Sequence, residues 1–283
     1  MLKIFLEILD YLAILPNKKV YILQLEEFMD SSLFGDISLY EIQLKAKFLK
    51  QILNMDSYPV GVKFLQEEVI EQSRLCDGYR YCQALMAARH GENVYLNKEA
   101  IACPAAAKAF GFKALPEGLA SGKGLVGFGI VSDPEVGKNM FLNMKCFKMG
   151  EIKAIQLFPL ESAETIPDVV VMEDEVEKLM WVILAYMHLN GGRRVVVDTA
   201  VLQATCVDST VIPYIDQRLN ASFGCYGCRE ATDIKPGETV IGFPIKYLKA
   251  IVDHVDYLSQ KAIPRSRGKG ALSRIGRKDN DRQ

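Results

Sequence analysis

The sequence has no excess of charge of either sign. Thirty-four Lys and Arg stand against 35 Asp and Glu, a formal net charge of −1 over 283 residues. That balance excludes a strongly basic nucleic-acid binder and a chain held open by self-repulsion. With 49% hydrophobic and 24% charged residues, the composition is that of an ordinary globular chain with ample core-forming material. Long apolar runs are also missing. None reaches the roughly 18 residues that mark a transmembrane helix, and the longest candidate, 179–187, is too short to span. The N-terminal MLKIFLEILDYLAIL is interrupted by Glu7 and Asp10, so it does not read as a signal peptide. The expectation is a cytoplasmic protein with no membrane insertion.

Histidine is scarce. His90, His188 and His254 fall within or at the ends of helical patterns, without H-x₃₋₅-H spacing, and read as packed or surface residues. The G-x-S-x-G, H-E-x-x-H and EF-hand patterns are absent. GLASGKGLVGFG (118–129) superficially resembles a phosphate loop. Gly118 to Gly122 is one residue short, and Gly124 stands where the Mg²⁺-binding hydroxyl belongs. It reads as a turn or close-approach loop, the alternative being a run of N–H groups lining a pocket.

Seven cysteines remain. The number is odd, and the chain is far too large for a disulfide miniprotein. In a reducing compartment, clustered cysteines point to metal or redox chemistry, although any one of them is as readily a small buried hydrophobe.

Hydrophobic periodicity organises the chain as an α+β protein. A helical N-terminal section, 1–54, carries amphipathic patterns over 1–15, 20–33 and 37–54. Its apolar faces need a partner surface, and residues 1–36 are the expected contact for a protein partner or a second copy. The main domain, 55–263, reads as two similar β-α-β-Cys-α units, an internal duplication over 59–160 and 167–250. In the first, PVGVKFL (59–65) is a strand, 79–90 a helix stopped by Gly91, ENVYL (92–96) a strand, and Cys103 precedes a short helix with Pro104 in its first turn. In the second, PDVVVME (167–173) is a strand, and a helix acidic at its start (Glu173-Asp174-Glu175) is stopped by Gly191-Gly192. RRVVVDT (193–199) is the next strand, and Cys206 precedes a short helix with Asp208 as its cap. Val94 and Val197 each lie nine residues before a cysteine. Phe158-Pro159-Leu160 and Phe243-Pro244-Ile245 close the two units. A final helix runs over 244–262, and a basic, mobile tail occupies 264–283.

The most specific local motif is Gly224-Cys225-Tyr226-Gly227-Cys228. Three chemistries compete for it. A thioredoxin-like dithiol needs a helix directly after the motif, and Asp233 and Pro236-Gly237 leave little room for one. Structural zinc needs a second ligand pair, which only distant single cysteines could supply. An iron–sulfur cluster needs four thiolates, and a Cys-Pro such as Cys103-Pro104 also ends the ferredoxin ligand run. If the two units meet at a seam, Cys82, Cys103, Cys206 and either Cys225 or Cys228 are the expected ligands of a [4Fe–4S] cluster, with zinc the alternative ion. Cys76 is a possible substitute for Cys82, and Cys146 is the expected bystander. Gly224, Gly227 and Arg229 are the expected contacts for the cluster or for an anionic ligand. Arg80, Tyr81 and Tyr226 adjoin cysteines and could shape a pocket. The functional expectation is an iron–sulfur protein with a redox or accessory role. A non-redox small-molecule or anion-binding module and a zinc-stabilised adaptor are the alternatives.

The stretches 59–64, Tyr81-Cys82, Cys103-Pro104, the Cys206 region, 224–229, Pro236-Gly237-Glu238 and Phe243-Pro244 together resemble an uncharacterised prokaryotic family, domain of unknown function 169. The resemblance spans roughly 40–260. It implies a cysteine at each position matching Cys82, Cys103, Cys206 and Cys225, with more variety at Cys228, and so ranks Cys225 above Cys228 as the fourth ligand. It implies no reaction.

Overall fold

The computed structural model describes residues 37–68, 74–200 and 202–267. The helices expected over 1–15 and 20–33, and all but the first residues of the basic tail, lie outside the described residues. The described residues from Ser38 onward form one compact unit. Helix α1 (Leu39–Leu53) opens on a reciprocal cap: Ser38 Oγ accepts from the Glu41 N–H, and the Glu41 carboxylate accepts from the Ser38 N–H. Then come β1 (Val60–Leu65), α2 (Tyr81–Arg89), β2 (Val94–Asn97) and α3 (Pro104–Ala109). Short helices α4 (Glu117–Ala120) and α5 (Lys123–Gly127), and α6 (Pro134–Leu142), lead to β3 (Ala154–Pro159). The second half holds β4 (Val169–Glu175), α7 (Val176–Leu189), a π-helix (Ala204–Val211), α8 (Ile212–Asp216), β5 (Asn220–Ser222), α9 (Tyr226–Ala231) and β6 (Glu238–Pro244). Helices α10 (Leu248–Gln260) and α11 (Ala262–Arg267) complete the described chain. No helix among the described residues is long and apolar enough to cross a membrane.

The architecture is mixed α and β around one antiparallel sheet of order β2-β3-β1-β4-β6-β5. Strands β1 and β4 meet at the centre, with Gly61 opposite Val170. Outward from that seam the two halves run alike: first strand, last strand, then the short middle strand at the edge. Leu160 N–H donates to Pro59 O (2.8 Å), and Ile245 N–H donates to Asp168 O (3.1 Å), so each half closes on the start of its own first strand. Alternation sorts the side chains. Val60, Val62, Phe64, Leu157, Val169 and Val171 face a core shared with α2, α3 and the π-helix. Phe158, Val170, Met172, Ile241 and Phe243, also buried, point the other way, where α1, α7 and α10 pack.

Two expectations fail here for physical reasons. Residues 193–199 form no strand. Val196 and Val197 are 78% and 44% exposed, and a β-branched run without a buried face or a pairing strand gains nothing from extension. The edge position is taken by β5, so the second half lacks the expected strand before its first cysteine. Glu173-Asp174-Glu175 ends β4 rather than starting a helix, and Glu173 and Asp174 are buried. The reason is a buried cation. Arg89, at the end of α2, forms a two-pronged pair with Glu238 of β6, lies 3.7 Å from Glu173, and donates to Ser57 Oγ at 2.8 Å. Asp174 is met by Lys178 at 2.9 Å. Burial pushes Glu173 up to about 7 against the pull of Arg89. This network fixes the far end of α2, whose near end carries the candidate site.

Candidate functional site

Five cysteines from four elements line one cavity of about 340 Å³. Cys82 is the second residue of α2. The start of that helix is held by Gln83, whose side chain accepts from the Arg80 N–H at 2.9 Å. Two further bonds stitch it to α9: Arg80 Nη1 donates to Gly227 O at 3.1 Å, and Gln83 Nε2 donates to Ala231 O at 3.3 Å. Cys103 is the N-cap of α3, with Pro104 pre-set at the first helical position. Cys225 is the N-cap of α9, and Cys228 lies buried one turn on. A short helix therefore does begin within the C-x-x-C, contrary to the expectation from Asp233 and Pro236. It ends at Ala231, before either residue can interfere.

Cys206 departs from its expected setting. It does not precede a helix but lies inside the π-helix, every residue of which is buried. Asp208 is inside the same helix and does not cap it. Thr210 Oγ1 reaches back to Thr205 O at 2.8 Å, and the Tyr81 hydroxyl lies 2.8 Å from Thr210 Oγ1. Gly242 of β6 permits the packing beneath: a Cβ there would stand 1.8 Å from Ser209 O. The helix begins at Gln203, a non-glycine residue with φ of 63°. Such backbone costs of order 1–3 kcal/mol and concentrates at working sites. Gln203 O accepts from the Cys206 thiol at 3.6 Å, and the Gln203 N–H acts on the Cys225 sulfur.

By strand order, Cys103 corresponds to Cys225 rather than to Cys206. Each follows the edge strand of its half and caps a six-residue helix. Cys206 precedes β5 and is brought to the cavity by the π-helix. Spacing could not reveal this, because the matching nine-residue offset was measured from a strand that does not form.

The thiols act on one another. Burial raises Cys103 above the ordinary thiol range, with the N–H groups of Ala106 and Ala105 and the charge of Arg80 pulling the other way. Burial, then Cys103, Cys225 and Cys228, hold Cys206 well above it. Cys225 is raised by its hydrogen bond with Cys228 and by burial. For Cys228, the bond with Cys225 lowers the pKa, but Cys82 and burial outweigh it and push the thiol up to about 12. Packed together and buried, these four thiols stay protonated at neutral pH even beside Arg80. Thiols of this kind ionise on metal binding and release their protons as they do so.

The remaining expected residues fall elsewhere. Cys76, pushed up to about 11 by burial and by Glu92, packs in the core and does not line the cavity. Cys146 is half-buried beside Met144 O, also away from it. Gly227 lines the cavity. Gly224 turns the chain at φ 83° without lining it. Arg229 fastens the loop through the carbonyls of Phe223, Lys235 and Glu238, and the cation on the cavity wall is Arg80. Apolar side chains complete much of the lining: Leu125, Phe128, Ile130 and Phe141. The glycine-rich stretch 118–129 thus supplies side chains to the pocket. Gly122 brings α6 against it, since a Cβ there would stand 1.9 Å from Pro134 O. Gln203 and Thr205 were not foreseen, because no sequence pattern marks a π-helix.

The donor chemistry fits a thiolate-bound metal or cluster: more than four sulfurs and one cation face a single space. Among the described residues, no three His, Cys, Asp or Glu side chains already stand as a metal-holding group. The thiols instead bond locally, with Cys206 to Gln203 O and Cys228 3.5 Å from Thr205 Oγ1. Binding would trade these contacts for metal.

The sequence matches the family described as Uncharacterised ArCR, domain of unknown function 169, over residues 48–254. The chain belongs to this family. An uncharacterised protein of Methanocaldococcus jannaschii is 31% identical over 225 residues, covering 78% of this chain and 96% of its own length. No solved structure matches the chain. The family match covers all five cavity cysteines and excludes residues 1–36.

Proposed function

We propose that this domain of unknown function 169 protein binds a [4Fe–4S] cluster through Cys82, Cys103, Cys206 and Cys225, and serves electron transfer or a partner enzyme. One observation carries the reading: five of seven cysteines, distant in sequence, line a single cavity with Arg80 among them. Four thiolates around iron and sulfide leave an anionic group, and Arg80 supplies compensating charge beside Cys103. Bound there, a cluster supplies one-electron chemistry. The protein's part is to exclude water with the apolar lining and to hold the sulfurs through Gln203 and the stitched start of α2. The similar layout of the two half-sheets also supports an internal duplication, with the cluster spanning both halves.

The test is anaerobic reconstitution with iron and sulfide, followed by iron and sulfide analysis and a visible spectrum. Cys103→Ser and Cys206→Ser are expected to lose iron and colour, whereas Cys146→Ser and Cys76→Ser keep both. A colourless, iron-free wild-type protein would sink the reading. Stoichiometric zinc in place of iron would support the zinc alternative. The apolar lining also favours a second reading, a non-redox small-molecule pocket. There, Cys103→Ser leaves ligand affinity unchanged in a thermal-shift panel.

A further inference from the structure

A second cleft, also about 340 Å³, lies beside the π-helix. The two spaces share Gln203. Thr205 and Cys206 line the cysteine cavity, and Val207 and Asp208 line the other. Asp208 is 2% exposed. One carboxylate oxygen, Oδ2, is fully engaged: it accepts from Ala200 N–H (2.8 Å), Ser222 Oγ (2.9 Å) and Thr199 Oγ1 (3.1 Å). The other, Oδ1, has no hydrogen-bond partner among the described residues, nor is it among the sealed, unpartnered atoms there. A buried carboxylate is thus held rigidly by one oxygen and left open at the other.

The surroundings define what would meet it. Asp198 adds a second carboxylate, 4.0 Å from the Arg218 guanidinium, and Asn139 and Asn143 bring side-chain amides from α6 and just beyond it. Lys145 also lines the cleft and is paired with Asp216. Met140 and Val207 supply an apolar surface. Asp198 and Lys145 each have a partner, so the unpaired charge that the cleft presents is the Asp208 carboxylate, which repels an anion. A hydrogen-bond donor with positive charge and a short aliphatic stem matches both the polar and the apolar parts.

We propose that this cleft binds a small aliphatic amine or guanidine, its cationic head on Asp208 Oδ1 and its stem along Met140 and Val207. The test is isothermal titration calorimetry of the full chain at pH 8 with 1,4-diaminobutane and with agmatine, using 1-butanol as the uncharged control. Saturable binding of at least one cation and none of butanol is expected. Asp208→Asn keeps an acceptor for the three donors and replaces Oδ1 by an amide N–H₂, and is expected to weaken binding at least tenfold. Asn143→Ala, an exposed change that leaves the fold intact, is expected to weaken it several-fold. No saturable binding, equal binding of butanol, binding of magnesium ion in place of the amines, or amine binding unaffected by both variants would overturn the proposal.

Discussion

Arg89 decides more than its place at a helix end suggests. Its guanidinium is almost fully buried, with Glu238 as the two-pronged partner and Glu173 close by. Removing the cation leaves two buried carboxylates uncompensated, so Arg89→Ala is expected to cost about 3–5 kcal/mol in urea unfolding. Glu173 makes the opposite prediction. Its folded pKa of about 7 lies above the ordinary carboxylate value, so its contribution to stability is fully present in mild acid and is lost as pH rises through 7. Glu173→Gln should therefore match wild type near pH 4 and exceed it at pH 8, by at most about 3 kcal/mol. Equal pH slopes in urea melts of the two proteins would disprove this. The network leaves no sign in the sequence, because Arg89, Glu173 and Glu238 are far apart in the chain. Acidic residues before a helix read as a helix start until burial is known.

The π-helix is the element on which the candidate site turns. It rests on the sheet at Gly242 and is tied within by Thr210. Gly242→Ala drives a methyl into Ser209 O, and overpacking of this kind costs about 1–3 kcal/mol or more. The expected result is a lowered melting temperature and, in reconstituted protein, lost iron, because Cys206 moves with the helix. Retained iron at wild-type stability would show that the packing is slack. The strands and long helices were legible from periodicity: β1, β4, α1 and α7 fall where alternation and helical spacing predict them. The π-helix was not, since it keeps the composition of an ordinary buried helix. The 193–199 segment misled because Val-rich runs signal strands only where a neighbouring strand and a buried face exist.

At the scale of the molecule, the family resemblance read in the sequence is matched by the comparison over residues 48–254. Cys82, Cys103, Cys206 and Cys225, which the expected seam between two units and the family resemblance bring together, line one cavity with Cys228. What spacing could not give was the cation, since adjacency to Cys228 favoured Arg229 while the fold turned it toward loop carbonyls. Residues 1–36 remain the sequence-level candidate for a partner or self-association. A chain lacking them is expected to keep the cysteine cavity and to fall to a smaller assembly in light scattering. An unchanged mass would remove that role.

The order of the strands also sets when the protein can become itself. Strand β1 pairs with β3 and β4, so its nearest partner arrives about 90 residues after it. At roughly 5–20 residues per second of synthesis, β1 waits on the order of 5–20 s with no strand beside it. Cys82 and Cys103 emerge during that interval, and Cys225 comes far later. The ribosome thus delivers the cavity's sulfurs in instalments, and they are not all present until Cys228 has been made.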